Sequence, residues 1–432
     1  MTPRALPWAR SSLARPALVY VVLFASLGAF FPFFPVYLQS IGLPLELVGL
    51  LVALHASISL VAAPLWGSIA DRIGAVRGLL LVAGLASAVA ATVLAVVSDP
   101  LIVAIAIGSL AAASAGMIPL TDSRTVELVG ADRDLYGRAR AAGSAAFIVS
   151  ALSTGSLVVA AGVPVAFAVY APLMVLTGIA AWALLGDGAA DRGQDARRRR
   201  RGPSLRAGLP MLFRIRGLGL FLVGSIVVWT AVAAVINFSS IHLIALGADA
   251  GIAGWLFAVG AIVEVPLMVA FPILARRFGV TTLVAAGAIA FAIRAAAWAL
   301  APDPTVALLA APIGGIGFAL FYVGTVSYIA GATPADIQAT AQGIFTGTAF
   351  AAGAVAGSVI GGWFAVTFTL PGLFAASALA TAIGALLVWV AIGRHSEAPN
   401  ELARLAPHTL TADPIQNHRS GRTTGDAATI ST

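Results

Sequence analysis

The chain has 432 residues, of which 60% are hydrophobic and only 10% charged, and its mean hydropathy is +0.98. Soluble domains carry about 25% charged residues, so this composition excludes a water-soluble enzyme; sixty per cent of the chain, roughly 259 residues, matches about twelve apolar helices of bilayer-spanning length. The 25 basic residues are all Arg and exceed the 18 acids by seven, and the lack of Cys excludes disulfides, thiolate metal sites and a Cys nucleophile.

In chain order, apolar runs of spanning length cover Ala17 to Leu38, Leu47 to Ala70, Gly78 to Val97, Leu101 to Leu120, Ala139 to Ala161 and Val165 to Leu185. A second set covers Ile215 to Leu246, Ile252 to Ala275, Val280 to Leu300, Thr305 to Ile329, Ala339 to Phe368 and Gly372 to Ile392. Each is predicted to be helical, because hydrocarbon offers no partner to an open backbone N–H or C=O. The expected fold is an all-α polytopic membrane protein of twelve helices in two six-helix bundles, residues 1–185 and 215–393. A basic linker, 186–214, joins them, and a polar tail, 394–432, is expected to be disordered.

The arginines order these runs. Arg4, Arg10 and Arg15 precede the first run with no small-residue cleavage site, so that run is expected to stay as a span. Twenty-four of the 25 Arg fall on one side of the alternating loops, and only Arg294 lies inside a span. By the positive-inside rule both termini and the 186–214 loop are expected in the cytoplasm, with the protein integral to the plasma membrane. The run Arg197 to Arg201 reads as a topology determinant within the linker, not as a nucleic-acid patch.

An offset of about 205 residues superimposes the two halves. Leu47 to Leu54 lies over Ile252 to Val259 with shared Gly, Leu and Ala positions, and Asp99-Pro100 lies over Asp303-Pro304. In both copies Asp is placed to accept from the free N–H groups of a helix start, while Pro occupies the first turn. Asp71-Arg72-Ile73-Gly74 lies over Arg276-Arg277-Phe278-Gly279, which has lost the acid.

The stretch Gly67-Ser-Ile-Ala-Asp71-Arg72-Ile-Gly74-Ala-Val-Arg77 resembles the signature loop between helices 2 and 3 of the major facilitator superfamily, and the spans, central loop and repeat extend the resemblance over residues 15 to about 393. Phe30 to Pro35, Tyr136 to Ser144, Glu264-Val-Pro266, Arg294 and Ala341-Gln-Gly343 are similar to the branch of 3-phenylpropionic acid transporters and nucleoside-proton symporters, relatives of lactose permease. The resemblance implies solute transport by alternating access, with Gly67, Asp71, Arg72, Gly74 and Arg77 as a gating loop that locks the cytoplasmic side. Gly67 is expected to let backbones approach and Gly74 to permit the tight turn.

Coupling to a proton needs a protonatable group deep in the membrane. Glu264 lies about eleven residues from the Arg276 end of its span, roughly 16 Å in, and Arg294 some 22 to 25 Å in on the next span. An isolated charge there costs at least ~2.5 kcal/mol, so Glu264 and Arg294 are expected to form an ion pair that exchanges partners with a proton and a solute carboxylate. The resemblance supports this, because lactose permease uses a glutamate in helix 8 and an arginine in helix 9; its titratable groups in helix 10 have no counterpart in Gly314 to Tyr322. Asp122 and Arg124 form a secondary charged cluster with Glu127, expected to neutralise one another, and His55 reads as a hydrogen-bonded core histidine.

For the solute, Phe30, Phe33, Phe34, Tyr37, Trp229, Asn237, Phe318 and Tyr322 are the candidate lining residues, suiting an aromatic or hydrophobic carboxylate beside Arg294. Gly343, Gly347, Gly353, Gly357 and Gly361 give GxxxG spacing for close helix packing. The favoured function is proton-coupled symport of a small organic solute; the alternative is proton-driven efflux of hydrophobic compounds. Exporters of the superfamily usually carry a Gly-Pro motif in helix 5, and the span here runs from Ser153 to Val163 without it. Five His, three in the tail, do not suggest an enzyme, and no metal or other cofactor is expected. The expected partners are the solute, protons and membrane lipid, with no nucleic acid, and the carrier is expected to be a monomer.

Overall fold

The structure, a computed structural model, describes residues 7–129, 133–186, 215–333 and 338–405. The basic linker beyond Gly186, with Arg197 to Arg201, and the tail beyond Leu405 lie outside the described residues. Where a disordered tail is expected from Arg394, the helical backbone instead runs on to Leu405.

Among the described residues there are helices and no strand. The first half holds α1 (Pro7–Phe30), α2 (Phe34–Ser40), α3 (Leu45–Ile73), α4 (Val76–Val96), α5 (Pro100–Ser114), α6 (Met117–Val129), α7 (Arg133–Ala161) and α8 (Val165–Leu184). The second holds α9 (Leu218–Ala245), α10 (Ile252–Phe278), α11 (Val280–Ala299), α12 (Pro304–Ala332), α13 (Gln338–Phe345), a π-helical turn (Thr346–Ala352) and α14 (Gly353–Leu405). Eleven segments among the described residues are long and apolar enough to cross a membrane, making this an integral membrane protein. One of the eleven, Thr340–Gly393, has 54 residues and contains non-helical dihedrals at Phe368 and Thr369, where the expected spans 11 and 12 divide.

Local chemistry explains several boundaries. Asp99 Oδ1 accepts from the N–H groups of Leu101 and Ile102, both at 3.0 Å, and Asp303 Oδ1 from those of Thr305 and Val306 at 2.8 and 3.1 Å, so the repeated Asp-Pro pair starts α5 and α12 alike. Gly74 ends α3 at φ 73°, and its repeat partner Gly279 ends α10 at φ 81°. The first span is broken into α1 and α2 because Pro32 and Pro35 have no N–H to continue the ladder.

The two halves meet closely at the Arg-poor end. A methyl on Gly251, just ahead of α10, would lie 2.8 Å from the Gly155 carbonyl oxygen of α7, and one on Gly254 of α10 would collide with the Ala151 carbonyl. On the other flank, a methyl on Gly362 of α14 would lie 2.7 Å from the Leu45 carbonyl oxygen of α3. Small residues thus let the backbones of the two halves approach closely at this end. At the Arg-rich end the same addition at Gly67, Gly343 or Gly347 would meet nothing within 4 Å. The expected close approach at these three is therefore absent in this conformation, while Gly353, Gly357 and Gly361 do pack on α9 at Trp229, Thr230, Ala234 and Phe238.

A Gly254→Leu substitution is expected to wedge α10 away from α7 and open the Arg-poor end, since no rotamer avoids the Ala151 backbone. The chain has no Cys, so a single Cys placed at the buried Thr154 of α7, next to Gly155, reads the change without background. Faster thiol labelling in the Gly254→Leu background is the expected result.

Candidate functional site

A cavity of about 180 Å³ opens within the second half, between α9, α10, α11 and α12. Glu264 and Arg294 both line it. Glu264 is fourteen residues from the end of α10 at Phe278, and Arg294 fourteen from the start of α11 at Val280, so both sit about 21 Å from the same end. Pro266 lies two residues on in α10 and leaves the Ile262 carbonyl without its usual donor, loosening the helix beside the acid.

Arg294 is only 7% exposed, and aromatic faces surround it: its guanidinium carbon is 4.9 Å from the Trp298 ring centroid and 5.5 Å from that of Phe291. These residues stand at i+4 and i−3, on the same helix face as Arg294. Its Nε has no hydrogen-bond partner. The expected Glu264–Arg294 ion pair is not formed in this conformation; among the described residues the ion pair within 4.0 Å is Arg124 to Glu127. Acid and base therefore line one cavity without forming an ion pair across it.

Two glycines of α12 create that arrangement. A methyl on Gly314 would collide with the Arg294 side chain, lying 2.6 Å from its Cδ, so the missing side chain is the notch that receives the guanidinium. A methyl on Gly315 would lie 3.2 Å from the Glu264 amide nitrogen and collide with the Gly260 carbonyl, so α12 rides directly on the Glu264 turn. Gly314→Ala is expected to displace the guanidinium and raise the half-saturating solute concentration roughly tenfold, by the typical cost of overpacking. Concentration-dependent uptake, normalised to folded protein, measures it.

The aromatic candidates divide. Phe318 lines the cavity, with Tyr322 stacked on it at 5.3 Å, and Trp229 backs them at 5.7 and 6.1 Å. Phe350 of the π-helical turn lies 4.8 Å from Trp229. Asn237 donates from Nδ2 to Ser358 Oγ at 2.8 Å, tying α9 to α14, and Ser239 supplies a hydroxyl to the cavity wall. Phe30, Phe33 and Phe34 instead pack in the core, as does Tyr37, whose hydroxyl donates to the Leu94 and Val97 carbonyls. His55 lies 5.4 and 5.5 Å from the Phe30 and Phe34 rings, and its Nε2 has no hydrogen-bond partner, so ring contacts replace the expected hydrogen bond.

The expected Asp122–Arg124 cluster is split between two environments. Asp122 accepts from the Tyr20 hydroxyl of α1, whose ring meets Tyr136 of α7 edge-on at 6.4 Å. Arg140, four residues further along α7, lays its guanidinium 4.2 Å from the Phe24 ring centroid. Arg124 turns away, donating to Glu127 and, from Nε, to the carbonyls of Leu185 and Gly186 at 3.0 and 3.2 Å. It lines a crevice of about 210 Å³ with Gly67 and Asp71. Arg72 is exposed at the end of α3, and Arg77 lies 5.7 Å from the Trp182 ring centroid. Tyr20 and Asp122 are 102 residues apart, a separation no local pattern signals. Trp298 and Phe291, by contrast, were available from their spacing around Arg294.

Comparison with known proteins places the chain. The sequence model of the MFS_1 like family matches residues 13–376. A maltose permease of Geobacillus stearothermophilus is 27% identical over 395 residues, covering 89% of this chain and 95% of that protein. Among solved structures, the nucleoside transporter NupG aligns with a TM-score of 0.72 at 15% identity over 89% of this chain and 98% of its own. A peptide transporter POT with bound sulfate aligns with a TM-score of 0.67 at 13% identity over 90% and 94%. These two share the fold. The chain belongs to the MFS_1 like family, and it is a membrane transporter of the major facilitator type, not an enzyme.

Proposed function

We propose that this transporter imports a small organic solute, an aromatic or otherwise hydrophobic carboxylate, together with protons, by alternating access. Glu264 carries the proton and Arg294 anchors the carboxylate. The observation that carries the reading is the cavity: a guanidinium without an acidic partner and a carboxyl group share one space at one depth, walled by Phe291, Trp298 and Phe318. A buried guanidinium held out of hydrogen-bond contact with its acid is costly in a membrane, and a solute carboxylate bound directly to it relieves that cost.

In this reading the chain crosses the membrane twelve times in two sets of six, 1–185 and 215–393, because the break at Phe368 and Thr369 divides the 54-residue segment. The Arg-rich end and both termini face the cytoplasm in the plasma membrane, so the end where the halves meet closely faces outward. Gly67, Asp71, Arg72, Gly74 and Arg77 close the cytoplasmic end in the opposite state. The working unit is a monomer bounded by lipid along its exposed Leu, Ile and Val side chains.

A thermal-shift panel on the purified protein tests the solute class against maltose and the nucleosides named for its relatives. Single-ring aromatic acids are expected to stabilise it, by about 2.7 kcal/mol at a hundredfold excess over Kd. Stabilisation by nucleosides, sugars or lipophilic cations alone contradicts the reading.

A further inference from the structure

Resting on the assignment of this cavity as the joint solute and proton site, we infer that each cycle moves one monoanion with one proton and carries no net charge across the membrane. The cavity wall carries one acid and one base. Of the four helices that line it, α10 contributes Glu264 and α11 contributes Arg294, while α9 and α12 contribute no ionisable side chain to the wall. Asp122, Arg140, Arg124 and Glu127 belong to α6 and α7, outside the cavity; they sum to zero, and neither binding event involves them.

Four occupancies follow. Empty, with Glu264 ionised, the cavity holds one negative and one positive charge and sums to zero. With a solute carboxylate on the Arg294 guanidinium and a proton from solution bonded to a Glu264 oxygen, it again sums to zero. Solute without the proton leaves one net negative charge, and the proton without solute leaves one net positive charge. The penalty for an uncompensated unit charge inside the bilayer makes each of those two forms roughly 100-fold rarer than a neutral form. Reorientation therefore proceeds through the two neutral forms, which couples the fluxes one to one.

The same ledger selects the solute. A neutral solute carried with a proton would force the net positive form through the membrane, whereas a monovalent anion does not. Arg294 supports the neutral pair of states because the Gly314 notch and the Trp298 and Phe291 faces hold it away from Glu264, leaving each group free for its own partner. The cavity, at about 180 Å³, is close to the engineered 150 Å³ cavity that binds benzene, so it admits one ring.

The test uses the full chain in proteoliposomes with 4-hydroxybenzoate, protein-free vesicles correcting for passive flux of the undissociated acid. The expected result is saturable uptake, one proton per labelled molecule by an internal pH dye, no transport current on a solid-supported membrane, and less than a twofold rate change when a potassium gradient with valinomycin imposes an inside-negative potential. A transport current or a strong dependence on potential, with uptake still driven by the pH gradient and lost in Glu264→Gln, overturns electroneutral coupling while the proton-symport reading stands. Uptake indifferent to the pH gradient, to Glu264→Gln and to Glu264→Asp defeats that reading itself. Absence of saturable uptake for this probe and for benzoate overturns the solute class, and the inference with it.

Discussion

Glu264→Gln is expected to abolish solute accumulation driven by an inward proton gradient while leaving a folded protein that still binds solute. The amide is nearly isosteric with the protonated acid, so packing of α10 against Gly315 is unchanged, and the Arg294 anchor is untouched. What disappears is the group that gives up a proton on the far side. A gradient of one pH unit represents about 1.4 kcal/mol, a tenfold accumulation ratio, and in the variant that ratio should fall to one. Uptake time courses with and without the gradient measure it, and ligand-induced thermal stabilisation, expected to persist, separates lost coupling from lost binding.

The second large effect falls on recognition. Arg294→Gln removes the one positive charge from the cavity wall, so the solute carboxylate is left without a counter-ion even with Glu264 protonated. Hydrogen bonds to a charged partner contribute about 1.5 to 3 kcal/mol, so the half-saturating concentration should rise roughly 10- to 150-fold. Arg294→Lys should recover only part of this, because an ammonium offers no planar fork to a carboxylate and stacks less well on Trp298 and Phe291. Equilibrium binding of a single-ring carboxylate to the purified variants distinguishes the two. Equal affinity in wild type and Arg294→Gln would remove the anion anchor from the mechanism.

Much of the fold was legible because the bilayer leaves few options: a run such as Val280 to Leu300 has to be a helix, and its observed bounds, Val280–Ala299, agree. Asp99-Pro100 and Asp303-Pro304 were readable as helix starts because capping is local chemistry. The break in the first span was less so, although Pro32 and Pro35 signal it, because apolar continuity over Phe30 to Phe34 masks a backbone interruption. Counting along two antiparallel helices put Glu264 and Arg294 within the membrane but about 6 to 9 Å apart in depth, and only the observed bounds, with α10 running on to Phe278 and α11 starting at Val280, bring them level. Their lateral separation was not legible either, since it depends on Gly314 of a third helix, and a glycine's notch is visible only once a neighbour's side chain fills it. Phe30, Phe33 and Phe34 carry the same apolar signature as Phe318, and only tertiary packing decides which ring faces the cavity. The Tyr20–Asp122 hydrogen bond joins α1 to α6 and so escapes any local reading.

The claim that Glu264 and Arg294 couple a proton to a carboxylate is tested most directly by wild-type uptake of labelled 4-hydroxybenzoate into proteoliposomes, relative to protein-free vesicles, with the inward proton gradient imposed and then collapsed by a protonophore. Saturable accumulation that follows the gradient and vanishes on its collapse is the predicted result. Saturable uptake proceeding to the same level with the gradient collapsed would contradict it.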